Sequence, residues 1–384
     1  MSELKSYIVD YYGKLKKLLF VVAFFGFIML PVVQMLSNFF ILEEVESFDE
    51  KREMVKWDDV QASSLDTLIS SYGSYFKDNF GFRDHFISLN NRWKIQQFKV
   101  SPHNAVIIGD KGWYFYNAGY SKEDHSGKHK LTESDLNELK NNLRYKKDFI
   151  EKQGGKFYLV VFPDKMTIYP QYLPNSMYNS GGTRFDQVLK YFKRTDIDII
   201  DLRAALIDES KKRLVYQKTD SHCNQNGGFR AYREIMNYIK RDFPDLRAYD
   251  RKQFDIIQES EQTGDLTTLV GVRNYEDNLL YSYSLKPGLY KGKAQFIEEY
   301  QGYDVSYKAT FSYLNPTLKQ PKLMMLNDSY INYIHQFLGN HFSESHYFWH
   351  QNFIESRVNE IQPDIFIQMI VERNLEELVN LDLE

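Results

Sequence analysis

Residues 18–42, LLFVVAFFGFIMLPVVQMLSNFFIL, carry no charged side chain. At 1.5 Å per residue a helix of that length spans roughly 37 Å, enough to cross a bilayer with tilt. Pro31 bends such a helix without forbidding it. Lys5, Lys14, Lys16 and Lys17 precede the run, and Glu43, Glu44, Glu46, Asp49 and Glu50 follow it. Cationic flanks stay on the cytoplasmic side. The expected topology is therefore a cytoplasmic N-terminus (1–17), a single transmembrane anchor in the lipid bilayer (18–42), and an extracytoplasmic remainder at the cell membrane. A cleaved signal peptide is the alternative. The apolar run is too long for one and no small-residue cleavage site follows it, which favours an uncleaved anchor.

Beyond the anchor, residues 43–75 are polar and mildly acidic and read as a helical stalk. The domain proper is expected over 76–384. Its first segment, 76–103, has helical apolar spacing at Phe86, Leu89, Trp93 and Phe98. AVIIGDKGWYFY (105–116) reads as two short strands about the turn Gly109–Gly112. A helix over about 133–152 precedes KFYLVVF (156–162), a continuous apolar strand of the kind buried in a parallel sheet. Helices near 183–193, 204–213 and 225–240 alternate with the strand IDIIDL (197–202), and PDIFIQMIVER (363–373) reads as a last core strand leading to a short acidic helix. Such alternation argues for an α/β sheet with crossover connections. Residues 250–320 differ: LLYSYSL, AQFIEEY and YKATFSYL alternate polar with apolar and predict antiparallel strands, a β-rich insertion or a small sub-domain.

The 384 residues suffice for one large domain or two ordinary ones. A net charge of −4 offers no basic surplus for nucleic acid. The single cysteine, Cys223, excludes an intramolecular disulfide and any zinc cluster built on cysteine spacing. No HExxH or nucleotide-binding motif is present, and no metal or cofactor is expected. The 29 Tyr and 28 Phe belong mostly to a core, with stacking on sugar rings as the other use for them.

Two stretches carry reactive groups. Leu323–Leu326 is an apolar run of strand length, Asn327–Asp328–Ser329 are capping types, and Tyr330, Ile331, Ile334, Phe337 and Leu338 follow at helical spacing. The pattern is strand, sharp turn, helix. A serine there sits beside unpaired backbone N–H groups and the positive end of a helix dipole, both of which stabilise an oxyanion. The plainer account is that Asp328 or Ser329 is only an N-cap. In TDSHCN (219–224) Asp220 and His222 stand two apart, so on an extended loop both face one side. A carboxylate beside an imidazole fixes its tautomer and stabilises the imidazolium, as a general base for serine requires. The plainer account is a helix-start turn with Asp220 as cap and His222 solvated. Cys223 is a poor alternative nucleophile, because its place next to His222 in the chain disfavours a productive geometry with that ring.

These pieces resemble the alginate O-acetyltransferase family with SGNH-hydrolase-like domains, also called the DHHW family. The resemblance covers roughly residues 76–380 and rests on pieces standing in the family's order. GFRDHFISLNNRWK and KVSPHNAVIIGDKGWYFY come first, then VVFPDKMTIYPQYLP, TDSHCN and GDLTTL (264–269). LMMLNDSY, HYFWHQNF and QPDIFIQMIVER complete it. The resemblance implies an SGNH-like sheet flanked by helices and a triad of Asp220, His222 and Ser329. It also implies acetyl transfer to an exported polysaccharide, with a membrane-bound O-acyltransferase partner carrying the acetyl group across the membrane. Two departures stand out. Cys223 replaces a tryptophan, which alters a wall of the site, and Asn327 replaces a glycine before the Asp–Ser pair, where asparagine still tolerates unusual backbone angles. Lys165, Tyr169 and Arg373 are candidate cleft-lining residues, and Tyr330 a candidate for the oxyanion hole or cleft. An acetylesterase with the same triad and a non-catalytic glycan-binding assembly subunit are the competing readings.

Overall fold

The computed structural model describes residues 2–37, 53–177, 181–261, 264–272, 278–289, 295–298, 311–349 and 351–379. The chain divides into two compact units, residues 1–98 with 271–273, and residues 99–270 with 274–384.

In the first unit, helix α1 spans Ser2–Ser37, with Pro31 inside it. Its segment Tyr11–Ser37 is long and apolar enough to cross a membrane. Residues 38–42 of the expected anchor and 43–52 of the expected stalk lie outside the described residues. The rest of the stalk is not one helix. A 3-10 turn (Trp57–Asp59) precedes α2 (Leu65–Asn79), which starts where the Ser64 hydroxyl accepts from Thr67 N–H at 3.2 Å. The boundary expected after residue 75 thus falls inside α2. Helix α3 (Arg83–Phe98) follows, but its apolar stripe is turned outward: Phe86, Leu89 and Trp93 are exposed, whereas Ser88, Asn91 and Ile95 are buried.

The second unit opens with the hairpin β1 (Val106–Ile108) and β2 (Tyr114–Tyr116), closed by Lys111 in the left-handed region at φ 55°. The one-turn α4 (Ser121–His125) leads to α5 (Glu133–Lys152), whose start is set by a reciprocal Thr132–Asp135 capping box. Then come β3 (Lys156–Phe162), the one-turn α6 (Lys165–Ile168), α7 (Arg184–Phe192), β4 (Ile199–Asp201), α8 (Arg203–Ser210) and α9 (Gln225–Ile239). Strand β5 (Phe254–Glu261), the short α10 (Asp265–Val270) and strands β6 (Asn278–Leu285), β7 (Gln295–Glu298) and β8 (Phe311–Leu314) follow. The chain closes with β9 (Lys322–Leu326), α11 (His335–Leu338), β10 (Glu344–Phe348), α12 (Glu355–Ile361) and β11 (Ile365–Val371).

Seven strands form one mixed sheet in the order β4-β3-β11-β9-β10-β8-β7. The first five pair in parallel, and β8 pairs antiparallel with both β10 and β7. Burial on both faces explains why β3 and β9 read as apolar runs, and β11 as one interrupted only by the buried Gln368. The stretch expected as an insertion is therefore split. β5 and β6 pair with each other alone, while β7 and β8 extend the main sheet. Residues 307–310 of the expected YKATFSYL strand lie outside the described residues. The fold is α/β, with helices flanking a largely parallel sheet.

Candidate active site

In an open parallel sheet, groups that bind ligands gather beyond the carboxyl ends of the strands, where the chain leaves for a crossover. Here three neighbouring strands, β3, β11 and β9, end together. Asp164 and Lys165 follow β3, Arg373 follows β11, and Ser329 follows β9. A groove of about 630 Å³ at the opposite edge, lined by Asp242, Leu318, Pro321, Ser343 and Asp364, carries none of these groups.

The serine turn is held from below by one side chain. Asp328 accepts from Tyr330 N–H at 3.0 Å as an N-cap and from Val371 N–H at 2.7 Å, which ties the turn to the end of β11. Burial pushes the Asp328 carboxyl up. The helix expected through Leu338 does not form. Ser329–Tyr333 is a 3-10 turn, Ile334 leaves the helical region (φ −121°, ψ −38°), and α11 is a single turn. Closing Ile334 N–H onto the Ile331 carbonyl at 2.9 Å leaves no continuous α-helical ladder. The macrodipole argument for Ser329 therefore falls away. Its local half survives: among the described residues the Ser329 N–H has no hydrogen-bond acceptor.

The histidine turn comes from the start of α9, where the Asn224 side chain accepts from Asn226 and Gly227 N–H. Asp220 closes an Asx turn by accepting His222 N–H at 2.9 Å, and the same oxygen lies 2.8 Å from His222 Nδ1. Gly228 of α9 packs on the Tyr333 carbonyl so closely that a Cβ there would overlap it. That contact seats the serine turn against α9. His222 Nε2 lies 2.7 Å from Ser329 Oγ. The consistent assignment is Nδ1–H donating to Asp220 and Nε2 accepting from the serine hydroxyl. Burial pushes the imidazole down, but the Asp220 hydrogen bond and the charges of Asp220 and Asp265 outweigh it, so its pKa is raised. Burial likewise pushes Asp220 up, yet the His222 partner holds it below its ordinary value.

Of the four further candidates, the structure places Lys165, Tyr169 and Tyr330 in the interior rather than along a cleft. The Lys165 ammonium donates to the carbonyls of Gln217, Lys218 and Asp220 at 3.0, 3.0 and 2.7 Å. Burial lowers its pKa to about 7. The Tyr169 hydroxyl accepts from Val215 N–H at 3.0 Å, and its ring packs on Trp113. Tyr330 donates to the Ser221 carbonyl at 2.9 Å, its ring packs on Phe162, and its own N–H is taken by Asp328, so it offers nothing to an oxyanion. Arg373 is half-buried, bound to Asp164 at 2.6 Å with its guanidinium 5.8 Å from the Tyr330 ring centre. All four brace the site from behind. The reason is common to them: a residue after a core strand meets the turns packed on the sheet before it meets solvent.

Asp265, in the GDLTTL stretch, joins the site from the start of α10. Its N–H donates to Asp220 Oδ2 at 3.1 Å, its carboxylate accepts from Ser221 N–H at 2.7 Å and from the Ser221 hydroxyl, and Oδ2 lies 3.7 Å from His222 Nδ1. Burial and the charge of Asp220 raise its pKa. Gly264 permits the approach, since a Cβ there would overlap the Thr219 carbonyl. The signal was the Gly-Asp pair itself, though 45 residues separate Asp265 from Asp220. Asp220, His222 and Asp265 also bring three potential metal-ligand atoms within 4.8 Å of one another. Those atoms are the ones that orient the imidazole, so an ion there would compete with the row ending at Ser329. Cys223 is fully buried in the core, where burial pushes its thiol well up, so it neither walls the site nor serves as nucleophile.

Residues 106–293 match the family model of the SGNH hydrolase-like domain of acetyltransferase AlgX. That span contains Asp220, His222 and Asp265, and Ser329 lies beyond it. The chain is 24% identical over 193 residues to probable alginate O-acetylase AlgJ of Pseudomonas syringae pv. tomato. The match covers 50% of this chain and 48% of that protein, so the chain spans about half the length of the curated relative it matches. PatB1 of Bacillus cereus superposes with a TM-score of 0.54 at 17% identity, covering 72% of this chain and 99% of that one. The same protein with a sulfonyl adduct gives 0.53 at 17% identity, over 70% and 95%. Both show a shared fold. Over residues 106–293, just under half of its length, the chain is similar to the SGNH hydrolase-like domain of the AlgX/AlgJ-like acetyltransferases.

Proposed function

We propose that the protein is a membrane-anchored O-acetyltransferase whose catalytic domain lies outside the cytoplasm. It moves an acetyl group through acetyl-Ser329 onto hydroxyls of an exported polysaccharide. The observation that carries this reading is the hydrogen-bonded row Asp220–His222–Ser329, at 2.8 and 2.7 Å. His222 Nε2 takes the Ser329 proton as Oγ attacks the acetyl carbonyl carbon of the donor. The oxyanion is stabilised by the Ser329 N–H. Collapse of the intermediate breaks the bond to the leaving group, which departs with the proton from His222. A sugar hydroxyl then gives its proton to His222 and attacks the acetyl-serine carbonyl, and the serine leaves reprotonated. Asp220 keeps Nδ1 protonated throughout and balances the imidazolium.

The polymer class is drawn from the alginate O-acetylase relative, and the acetyl donor is expected to be handed over by a membrane-bound O-acyltransferase. The lysines before the apolar run 18–42 and the acidic residues after it support the orientation. Ser329→Ala is expected to abolish polymer acetylation in cells while the protein remains folded and in the membrane fraction. Unchanged acetyl content in that strain would remove Ser329 as nucleophile. A second reading, an acetylesterase, draws on the openness of the site: the His222 and Asp265 side chains are 22% and 41% exposed, within reach of water. Product analysis with a polysaccharide acceptor separates the two, since only a transferase leaves new acetyl groups on the sugar.

A further inference from the structure

Helix α3 is built inside out. At 100° per residue, Phe86, Leu89 and Trp93 share one face, and Ser88, Asn91 and Ile95 share the opposite one. The polar-rich face is the buried one, while the three large apolar side chains are 43%, 65% and 55% exposed. Helix α2, none of whose residues is buried, also exposes an apolar stripe: Leu65, Ile69, Tyr72 and Phe76 are exposed by 72%, 63%, 45% and 37%. The two stripes are continuous. Phe76 stacks on Phe80 and Phe80 on Phe86, with ring centres 6.1 and 6.2 Å apart, across the turn between the helices. An apolar ribbon of this size facing water is unfavourable and marks a surface that something covers.

The same compact unit supplies the occupant. The α2–α3 turn rests on α1: Gly81 N–H donates to the Pro31 carbonyl at 3.2 Å, and a Cβ at Gly81 would overlap that carbonyl. Pro31 lies six residues before the end of α1 at Ser37, about 9 Å along the helix axis. The contact joins the ribbon to the apolar helix itself. Tryptophan and tyrosine concentrate where headgroups meet acyl chains because one end of each side chain tolerates water and the rest does not. Arg92 and Lys94 flank Trp93, as suits an anionic headgroup layer.

We propose that the α2–α3 hairpin lies in the membrane interface, with the ribbon from Leu65 to Trp93 inserted among headgroups and upper acyl chains. The hairpin is a second, in-plane attachment beside the helix that spans the bilayer. This rests on reading α1 as a membrane span.

Because Cys223 is buried, Leu89→Cys can be labelled selectively with the fluorophore NBD. Glu138→Cys, on the exposed face of α5, is the aqueous control. The full-length protein is placed in phosphatidylcholine–phosphatidylglycerol vesicles and exposed to external dithionite, with the control fixing the accessible fraction. The expected result is reduction at position 89 about tenfold slower than at 138, with quenching by brominated acyl chains. Reduction at the control rate overturns the proposal. Protection from dithionite without quenching by brominated lipid also overturns it, because the cover would then be protein. Carbonate extraction tests the premise separately: release of the chain from the membrane means that α1 does not span, whereas retention with a water-exposed position 89 sinks only the interfacial hairpin.

Discussion

The two turns that meet in the candidate active site are held in different ways. The serine turn depends on its own neighbour: Asp328 caps Tyr330 and reaches one strand across to Val371. The histidine turn is gripped by groups remote in sequence. Lys165 binds three of its carbonyls from the end of β3, and Gly264–Asp265 closes on it from the start of α10. The difference follows from what each turn presents. A nucleophile needs one oxygen in place, and a short cap at a strand end suffices. A general base needs a ring fixed in orientation, tautomer and charge, which takes contacts from several directions.

If that contrast is right, removing the carboxylate that faces the ring produces the greatest loss. Asp220→Ala is expected to lower the rate of acetyl-ester turnover by about 10⁴-fold, because the imidazole then loses its tautomer lock and its counter-charge together. The unfolding temperature should fall as well, because the Asp220 side chain also accepts the N–H groups of His222 and Asp265, so turnover is read on the folded fraction alone. An Asp220→Ala protein with near-native turnover would mean that the row of hydrogen bonds is structural.

Next in size is the buried lysine. Lys165→Met removes the donor shared by three carbonyls, and each buried acceptor left without a partner costs about 1–3 kcal/mol. Both the unfolding temperature and the rate at which a serine-reactive phosphonate labels Ser329 should fall, the latter by about 10²-fold for a misplacement on the order of 1 Å. Measuring labelling on the folded fraction alone separates the effects. A fall in stability with unchanged labelling would show that the clamp supports the fold but does not position the base.

This contrast also explains which parts of the molecule were legible in the sequence. β3 and β9 announce themselves as apolar runs, β11 as one broken only by Gln368, and α5 begins where its capping box stands, because these signals are local. Asp220, His222 and Ser329 were readable as residue types at telling positions, and the family resemblance linked them. Lys165, Tyr169 and Tyr330 pack inside the turns and not along a cleft, since sequence marks the end of a strand but not what packs over it. Asp265 went without a role because its partner lies 45 residues away. For α3 the apolar spacing predicts the helix but leaves open which way its face turns, because spacing does not say whether that face meets the protein or another apolar phase. The helix after Ser329 was drawn too long for a related reason, because apolar spacing continues through Ile334 even though its backbone leaves the helical region.

The smallest effect is the most discriminating, because it asks whether Asp265 acts on the ring electrostatically or only through the turn. A general base works when neutral, so activity should rise with pH along a limb set by the His222 pKa. That pKa is raised, so the limb lies above the ordinary imidazole value. In Asp265→Asn the neighbouring negative charge 3.7 Å from Nδ1 is gone, and the amide oxygen can still accept from Ser221. Losing an anion beside an imidazolium favours the neutral ring, so the limb should move to lower pH by about one unit, the order expected for a nearby carboxylate. Below both limbs the variant would then retain up to about tenfold more of its plateau activity than the parent. The profile of kcat/KM for an acetyl ester reads this directly. A lowered plateau with an unmoved limb would assign Asp265 to holding the turn alone, making the histidine turn's second clamp purely mechanical.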